Sequence, residues 1–188
     1  MNTTEIRSTF VIAAFAALVS LMTQGAATAQ TGDHGTQTAA AEGMPRLAFL
    51  MGHWEGDGWI EVAPGERRPF HESETVAAKL QGSILVVEGL GHGVSDRAAT
   101  SPIVHEALAV ISWDAPRSEY RFLSWESSGR HVDAAGRLEQ GAFLWSFAAG
   151  PGREIQFRIH LDDQGRWTET GESGGHVFFE MILTRQPA

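Results

Sequence analysis

The chain has 188 residues, with 14 lysines and arginines against 23 aspartates and glutamates, so its formal net charge is −9. Because nucleic acid and anionic membrane surfaces are also negative, this balance argues against binding to either. The sequence contains no cysteine, which excludes disulfides, thiolate metal sites and lipid attachment through a cysteine.

The N-terminal segment 1–29 has the pattern of a secretory signal peptide. Arg7 precedes an apolar run from Phe10 to Met22, and Ala27-Thr28-Ala29 supplies the small residues of a cleavage site. The run is shorter than the roughly 20 residues that span a bilayer, which favours cleavage over a retained membrane anchor. We therefore expect a periplasmic or secreted protein, without membrane insertion after cleavage.

Segment 30–43 is rich in Thr, Gln, Ala and Gly and has no apolar periodicity, which predicts a flexible leader. Segment 44–188 has the length and apolar content of a single domain. At its start, "MPRLAFLMG" allows a turn or two of helix before the first strand.

The rest of the domain alternates between polar and apolar residues in short segments separated by Gly, Pro, Asp or Ser. This spacing is typical of an antiparallel sandwich or barrel. The predicted strands lie near residues 54–62, 68–80, 83–92, 104–113, 118–126, 130–138, 142–149, 153–161, 166–172 and 177–185. Because a twisted meander of this length leaves exposed edges unless it closes, the sequence favours an all-β, up-and-down barrel of about ten strands.

Three features of this pattern resemble the calycin superfamily, which includes lipocalins, fatty-acid-binding proteins and nitrobindins. They are the short helical turn, a Gly-x-Trp at the first strand and an arginine in the last strand. In such barrels the tryptophan closes the floor and the arginine packs over its indole, which implies these roles for Gly52, Trp54 and Arg185. The segments "FLMGHWEGDGWIEV", "HEALAVISWD" and "FFEMILTR" are also similar to an uncharacterised family of exported bacterial proteins with a calycin-like barrel.

In a barrel of this kind, polar residues that point into the interior would form the ligand site. Four glutamates are in phase with apolar neighbours, and two tryptophans are candidates for an apolar lining. The predicted ligand-binding residues are Glu72, Glu74, Glu88, Glu106, Trp59 and Trp125. Inward carboxylates would be buried and have raised pKa values. A slip of one residue at a bulge would turn them outward, so both directions stay open.

The histidines raise the alternative of a metal or haem site. His131 and Asp133 share a strand face, but this spacing is equally typical of a solvated face, so no metal site is predicted. The resemblance to nitrobindins implies haem bound through a histidine of a late strand, for which chain position leaves His160 and His176. His160 lies opposite the apolar phase of its strand.

Two common enzyme motifs are missing from the sequence: it has no His-Glu-x-x-His zinc site and no phosphate-binding glycine loop. The glycines of "GLGHG", from Gly89, predict a flexible connection instead of a nucleotide site. The favoured function is noncatalytic binding of a small, partly apolar molecule inside the barrel. The alternatives are a nitrobindin-like haem protein acting on reactive nitrogen species and a structural envelope protein whose barrel is filled by side chains.

Overall fold

The structure is a computed structural model that describes residues 43–94 and 101–187. The predicted signal peptide and nearly all of the predicted leader lie outside the described residues. Within the described part of the chain, no helix is long and apolar enough to cross a membrane.

The domain begins with a short 3-10 helix, η1 (Met44–Leu50), which is followed by ten strands. These are β1 (Gly52–Ala63), β2 (Glu66–Lys79), β3 (Ile84–Gly93), β4 (Ile103–Asp114), β5 (Glu119–Glu126), β6 (His131–Glu139), β7 (Ala142–Ala148), β8 (Glu154–Leu161), β9 (Trp167–Ser173) and β10 (His176–Arg185). A second 3-10 turn, η2 (Leu80–Gly82), connects β2 to β3. The predicted strands and the helical turn before them are confirmed.

The strands form one closed antiparallel barrel. Each strand pairs with its neighbours in the chain, and β1 pairs with β10, so that Trp54 lies between Glu74 on one side and Arg185 on the other. Closure leaves no strand of the barrel with an unpaired edge, which is the usual hazard of a long meander. The predicted up-and-down barrel is therefore confirmed.

The two ends of the barrel differ, because successive connections alternate between them. We call the end that carries η1 and the β2–β3 and β4–β5 connections the floor, and the opposite end the mouth. η1 covers the floor and buries Met44, Leu47 and Leu50. The hydroxyl of Tyr120 in β5 fixes the start of η1 by donating a hydrogen bond of 2.8 Å to the carbonyl oxygen of Gly43.

Trp54 forms the centre of the floor and has no exposed surface. Its Nε1 donates a hydrogen bond of 2.9 Å to the carbonyl oxygen of Leu50, and its ring packs edge-on against Trp167 at a centroid distance of 5.7 Å. The guanidinium of Arg185 lies 4.0 Å over the Trp54 ring and donates to the carbonyl oxygen of Phe49. This is the arrangement that the resemblance to calycins implied.

Gly52 is required at this point for two reasons. Its φ of +131° lies in a region that side chains disfavour, and a Cβ atom there would lie 2.5 Å from Nη1 of Arg185. The glycine therefore allows the last strand's arginine to reach under the first strand and close the floor.

Candidate functional site

We call the half of the barrel interior that lies towards the mouth the cup. Inward side chains near the floor are buried, whereas several nearer the mouth keep part of their surface accessible. The accessible inward residues include Ile60, His105, Ser124, Phe147, Phe157 and Phe179. Small-molecule sites occur preferentially in the mouths of β-barrels, so the cup is the candidate ligand site.

One side of the interior is a continuous row of aromatic rings, which we call the aromatic band. Trp145 stacks on Phe122 at a centroid distance of 4.1 Å and on Phe157 at 4.3 Å. Phe179 follows at 5.7 Å from Phe157, and Phe70 at 5.7 Å from Phe179. The band therefore runs from β5 through β7, β8 and β10 to β2 and offers flat apolar surfaces for packing.

Glycines on the intervening strands make room for these rings. A Cβ atom on Gly58 would lie 2.5 Å from Cζ of Phe70, and one on Gly171 would lie 2.8 Å from Cε1 of Phe157. Both distances are too short for a real side chain, so the rings lie directly against the glycine backbone. The alternation of tryptophans and glycines in "HWEGDGW" thus has an architectural cause.

Three glutamates form a buried group next to the floor, which we call the carboxyl cluster. Glu72 and Glu74 of β2 and Glu169 of β9 are only 2%, 8% and 8% exposed. Nε1 of Trp167 donates a hydrogen bond of 3.2 Å to Oε2 of Glu169. Oε1 of Glu72 and Oε2 of Glu74 have no hydrogen-bond partner, although buried polar atoms are nearly always paired.

The glycines of "GLGHG" provide the space for two of these acids. Gly89 pairs with Glu74 and Gly91 with Glu72 across the β2–β3 ladder. A Cβ atom on either glycine would collide with the carboxyl group of its partner. The expectation that this motif is a flexible connection is wrong, because it belongs to β3 and its inward glycines form the surface against which the carboxyl groups lie.

Burial and mutual repulsion control the protonation of the cluster. Burial, assisted by the charge of Glu169, raises the pKa of Glu72 to about 8. Burial also raises the pKa of Glu74 well above its ordinary value, with further contributions from Glu72 and Glu169. The pKa of Glu169 is raised to about 7 by burial, against the hydrogen bond from Trp167. No positive charge contributes to any of these shifts, so Glu72 and Glu74 are mostly protonated at neutral pH.

Three further residues of the interior were not singled out by the sequence: Glu169, His105 and Trp145. His105 lies on the inner face of β4 opposite Gly91, and burial of its imidazole lowers its pKa despite the nearby Glu126. Nε1 of Trp145 is buried and has no hydrogen-bond partner. The alternation of Trp167, Glu169 and Gly171 in β9 was the one sequence signal that pointed to an inward acid.

The expected inward direction is wrong for Glu88 and Glu106, whose side chains are exposed on the outer surface. Glu88 alternates with the inward Gly89, and Glu106 alternates with the inward Ala107, which pairs with Gly89. Next to these two acids the inward positions hold the small residues Gly89, Gly91 and Ala107, whereas the large inward residues Leu85 and Ile111 lie nearer the floor. An inward direction inferred from the large apolar neighbours of Glu88 and Glu106 is therefore wrong.

The two tryptophans expected to line the pocket also lie outside it. Trp59 is on the outer face of β1, where the guanidinium of Arg67 lies 3.5 Å from the centroid of its ring. Trp125 is 48% exposed on the outer face of β5. Both occupy the phase opposite to that of the inward residues on their strands, so the structure brings only Glu72 and Glu74 of the predicted set into the barrel.

The two histidines proposed as haem ligands do not point freely into the cup. His160 is on the outer phase of β8, and its buried Nδ1 has no hydrogen-bond partner. His176 lies at the mouth, where Nε2 is 3.0 Å from Oε1 of Glu61. These positions do not fit an axial ligand for a group held inside the barrel.

His131 and Asp133 share the outer face of β6, but the carboxylate of Asp133 is paired with Arg121. Asp133 accepts two hydrogen bonds from Nη2 of Arg121, at 2.6 and 2.7 Å, on the outer surface. In the part of the chain that the structure describes, no group of three His, Cys, Asp or Glu residues is arranged to hold a metal ion.

Comparison with known proteins agrees with the fold and adds no activity. No family model and no curated protein matches this sequence. Among solved structures, the crystal structure of Rv2717c from M. tuberculosis is similar, with a TM-score of 0.52 and 13% sequence identity over 77% of this chain and 97% of that chain. The chain is thus a ten-stranded antiparallel β-barrel, consistent with a calycin-like barrel, and the likeness at this identity concerns the fold alone.

Proposed function

We propose that this protein binds a small, partly apolar molecule in the cup without transforming it. The observation that carries the proposal is the group of unpartnered buried atoms inside the barrel: Oε1 of Glu72, Oε2 of Glu74 and Nε1 of Trp145. Trp145 belongs to the aromatic band, and Glu72 is two residues from Phe70 on the same face of β2. A polar anchor and an apolar wall are therefore combined in one interior.

The same atoms argue against a barrel filled only by its own side chains. An unpartnered buried polar group costs about 1–3 kcal/mol relative to a paired one, and apolar residues of similar size would avoid this penalty. A purely structural core would be more stable with leucine or methionine at positions 72 and 74. Ligand binding gives a reason for acids at these positions, because a bound molecule supplies their missing partners.

We further propose that the protein acts in the periplasm or outside the cell, as the pattern of segment 1–29 indicates. The haem alternative gains no support from His160 and His176, because neither lies where an axial ligand is needed. Visible absorbance of the purified protein separates the two functions, since a haem protein absorbs strongly in the Soret region.

Native mass spectrometry of protein purified from its own host tests the proposed function directly. We expect a retained small molecule in the parent protein. Ala107→Phe, which adds a ring on the inner face of β4, should eject this molecule. Leu108→Phe adds the same ring at the neighbouring position on the outer face, where Leu108 is 40% exposed, and should leave the molecule bound. Equal retention in both variants would place the ligand outside the cup.

A further inference from the structure

We propose that the molecule held in the cup carries a protonated amine, which the carboxyl cluster binds as a cation. This inference rests on the proposed function, because it requires that the cup holds a small molecule. It assigns the chemical class of that molecule and a direction within the barrel, with the charged end at Glu72 and Glu74 and the apolar part against the aromatic band.

The donor and acceptor inventory of the interior favours an ammonium group. Oε1 of Glu72 and Oε2 of Glu74 have no hydrogen-bond partner, and once ionised these carboxyl groups only accept hydrogen bonds, of which a primary ammonium can donate three. In residues 43–94 and 101–187, none of the ion pairs includes Glu72, Glu74 or Glu169. The cluster therefore has no partner cation among the described residues, and its ionised form is complementary to a cationic group.

The position of the aromatic band provides a place for the rest of the molecule. The band begins at Phe70, which neighbours Glu72 on the inner face of β2 and stacks with Phe179. An amine held at Glu72 thus brings an attached apolar or aromatic body against these rings, whose faces also attract cations. Further along the band, Nε1 of Trp145 is a free donor for an acceptor atom of the molecule.

The carboxyl groups are closed off from solvent in this structure, so binding requires that they turn towards the cup. Glu72 and Glu74 lie over Gly91 and Gly89, and the ends of their side chains are the atoms closest to those glycines. Because these ends are flexible, the proposed binding requires only rotation about side-chain bonds, and no movement of a strand, to turn the carboxyl groups towards the cup. In the bound state, the ammonium group of the ligand then takes the place of the glycine backbone as the neighbour of the carboxyl groups.

Binding of a cation is coupled to the release of protons. In the empty protein the acids of the cluster retain protons because burial disfavours their charged form. An ammonium favours the charged form, so a carboxyl proton passes to the buffer when it binds. The other ionisable groups that face this space are Glu169 in the cluster, His105 of β4 and Glu126 of β5, which is paired with Arg130. Of these, Glu169 is expected to share in the release.

Titration calorimetry on the full chain tests the inference with probes that differ only in their charged end. The indole series is tryptamine, tryptophol and indole-3-propionate, and the phenyl series is 2-phenylethylamine, 2-phenylethanol and 3-phenylpropionate. We expect an amine to bind at least about tenfold more tightly than its alcohol, because hydrogen bonds between charged groups are the stronger ones. The carboxylates should not bind. The heat of amine binding should change between phosphate and Tris buffer in the direction of proton release.

Matched variants assign the effect to the cluster. Glu72→Gln and Glu74→Gln should each weaken amine binding about tenfold and reduce the proton release, whereas Glu88→Gln and Glu106→Gln on the outer face should have no effect. If one cluster variant fails to fold, the other variant and the buffer comparison on the parent protein still show whether the carboxyl cluster binds the amine. Equal binding of amine and alcohol, absence of proton release, or no binding of either amine would overturn the inference. A molecule retained in native mass spectrometry would then still support the proposed function.

Discussion

The carboxyl group of Glu74 occupies the space that a side chain on Gly89 would need: a Cβ atom there would lie 2.8 Å from Oε1 of Glu74. The two residues face each other across the β2–β3 ladder. The buried acid and the glycine are therefore one structural unit, in which the absence of a side chain on one strand makes room for a carboxyl group on the other.

This relationship predicts an effect of Gly89→Ala that depends on Glu74. The new methyl group meets the flexible end of a side chain, so we expect a loss of about 1 kcal/mol in the free energy of unfolding, near the lower limit for overpacking. In a Glu74→Ala background the same change should be close to neutral. Urea unfolding of the four proteins in this cycle measures the coupling, and an equal loss in both backgrounds would refute the proposed contact.

Gly56→Ala is the matched comparison in which the new atom meets backbone. A Cβ atom on Gly56 would press against the carbonyl oxygen of Ile182 in β10, which cannot rotate away. We expect a loss of about 3 kcal/mol, at the upper end of the usual range for overpacking. The same urea measurement should rank Gly56→Ala clearly below Gly89→Ala in stability, and the reverse order would be inconsistent with the β1–β10 packing.

Glu72→Gln should stabilise the protein at alkaline pH and have little effect at acidic pH. The pKa of Glu72 is about 8 in the folded protein against an ordinary value of 4.5, so the folded state holds this proton more tightly than the unfolded state. The contribution to stability is therefore fully present below about pH 4.5, falls as pH rises towards 8 and is lost above it. Since one pKa unit corresponds to about 1.4 kcal/mol, the gain of the variant at pH 9 should be several kcal/mol.

Urea unfolding at pH 4 and pH 9 checks this sign. Glu88→Gln removes the same kind of group from the outer face of the adjacent strand and should give a small difference at both pH values. A gain for Glu72→Gln that is larger at pH 4 than at pH 9 would contradict a buried, neutral carboxyl group at this position.

Trp54→Ala should lower the free energy of unfolding by about 3–5 kcal/mol, as expected for removal of a fully buried aromatic side chain. It also leaves the guanidinium of Arg185 without the ring beneath it. Trp125→Ala removes the same side chain from a site that is 48% exposed and should have a much smaller effect. Thermal and urea unfolding compare the two variants. A loss of ligand with unchanged stability in Trp54→Ala would contradict the structural role of the floor.

Export predicts a defined N-terminus. Protein recovered from the periplasm or the medium should begin at or near Gln30, because the small residues before it form the cleavage site. N-terminal sequencing decides this, and a mature protein that still contains Phe10 to Met22 would rule out the export prediction.

The fold was accessible from the sequence because turns and alternation are local signals. Glycine, proline and aspartate separate the strands, and closure follows from the number of strands and from their twist. The interior was harder to predict, since the direction of a strand face was inferred from its large apolar residues. That inference succeeds on β2, where Phe70 and Val76 flank the two buried glutamates. It fails on β3, where Gly89 and Gly91 face inward and Val86 and Leu90 face outward.

Local signals alone could not bring two parts of the site together. Glu169 comes close to Glu72 and Glu74 only because the barrel brings β9 and β2 together from distant parts of the chain. Trp145 stands out only by a missing hydrogen bond, which requires the positions of all its neighbours. Contacts of this kind depend on closure and on side-chain packing, and a single sequence carries no direct record of them.

The pairing of β1 with β10 also determines on which side of the barrel a fusion or a support can be attached. Gly43, the first described residue, and Arg185, the last residue of β10, both lie at the floor end, and Gln186 continues along His53 there through a backbone hydrogen bond of 2.8 Å. A fusion joined directly at Gly43 or at Gln186 therefore starts at the floor, on the side away from the mouth. Attachment at either of these two points leaves the mouth turned towards the solution.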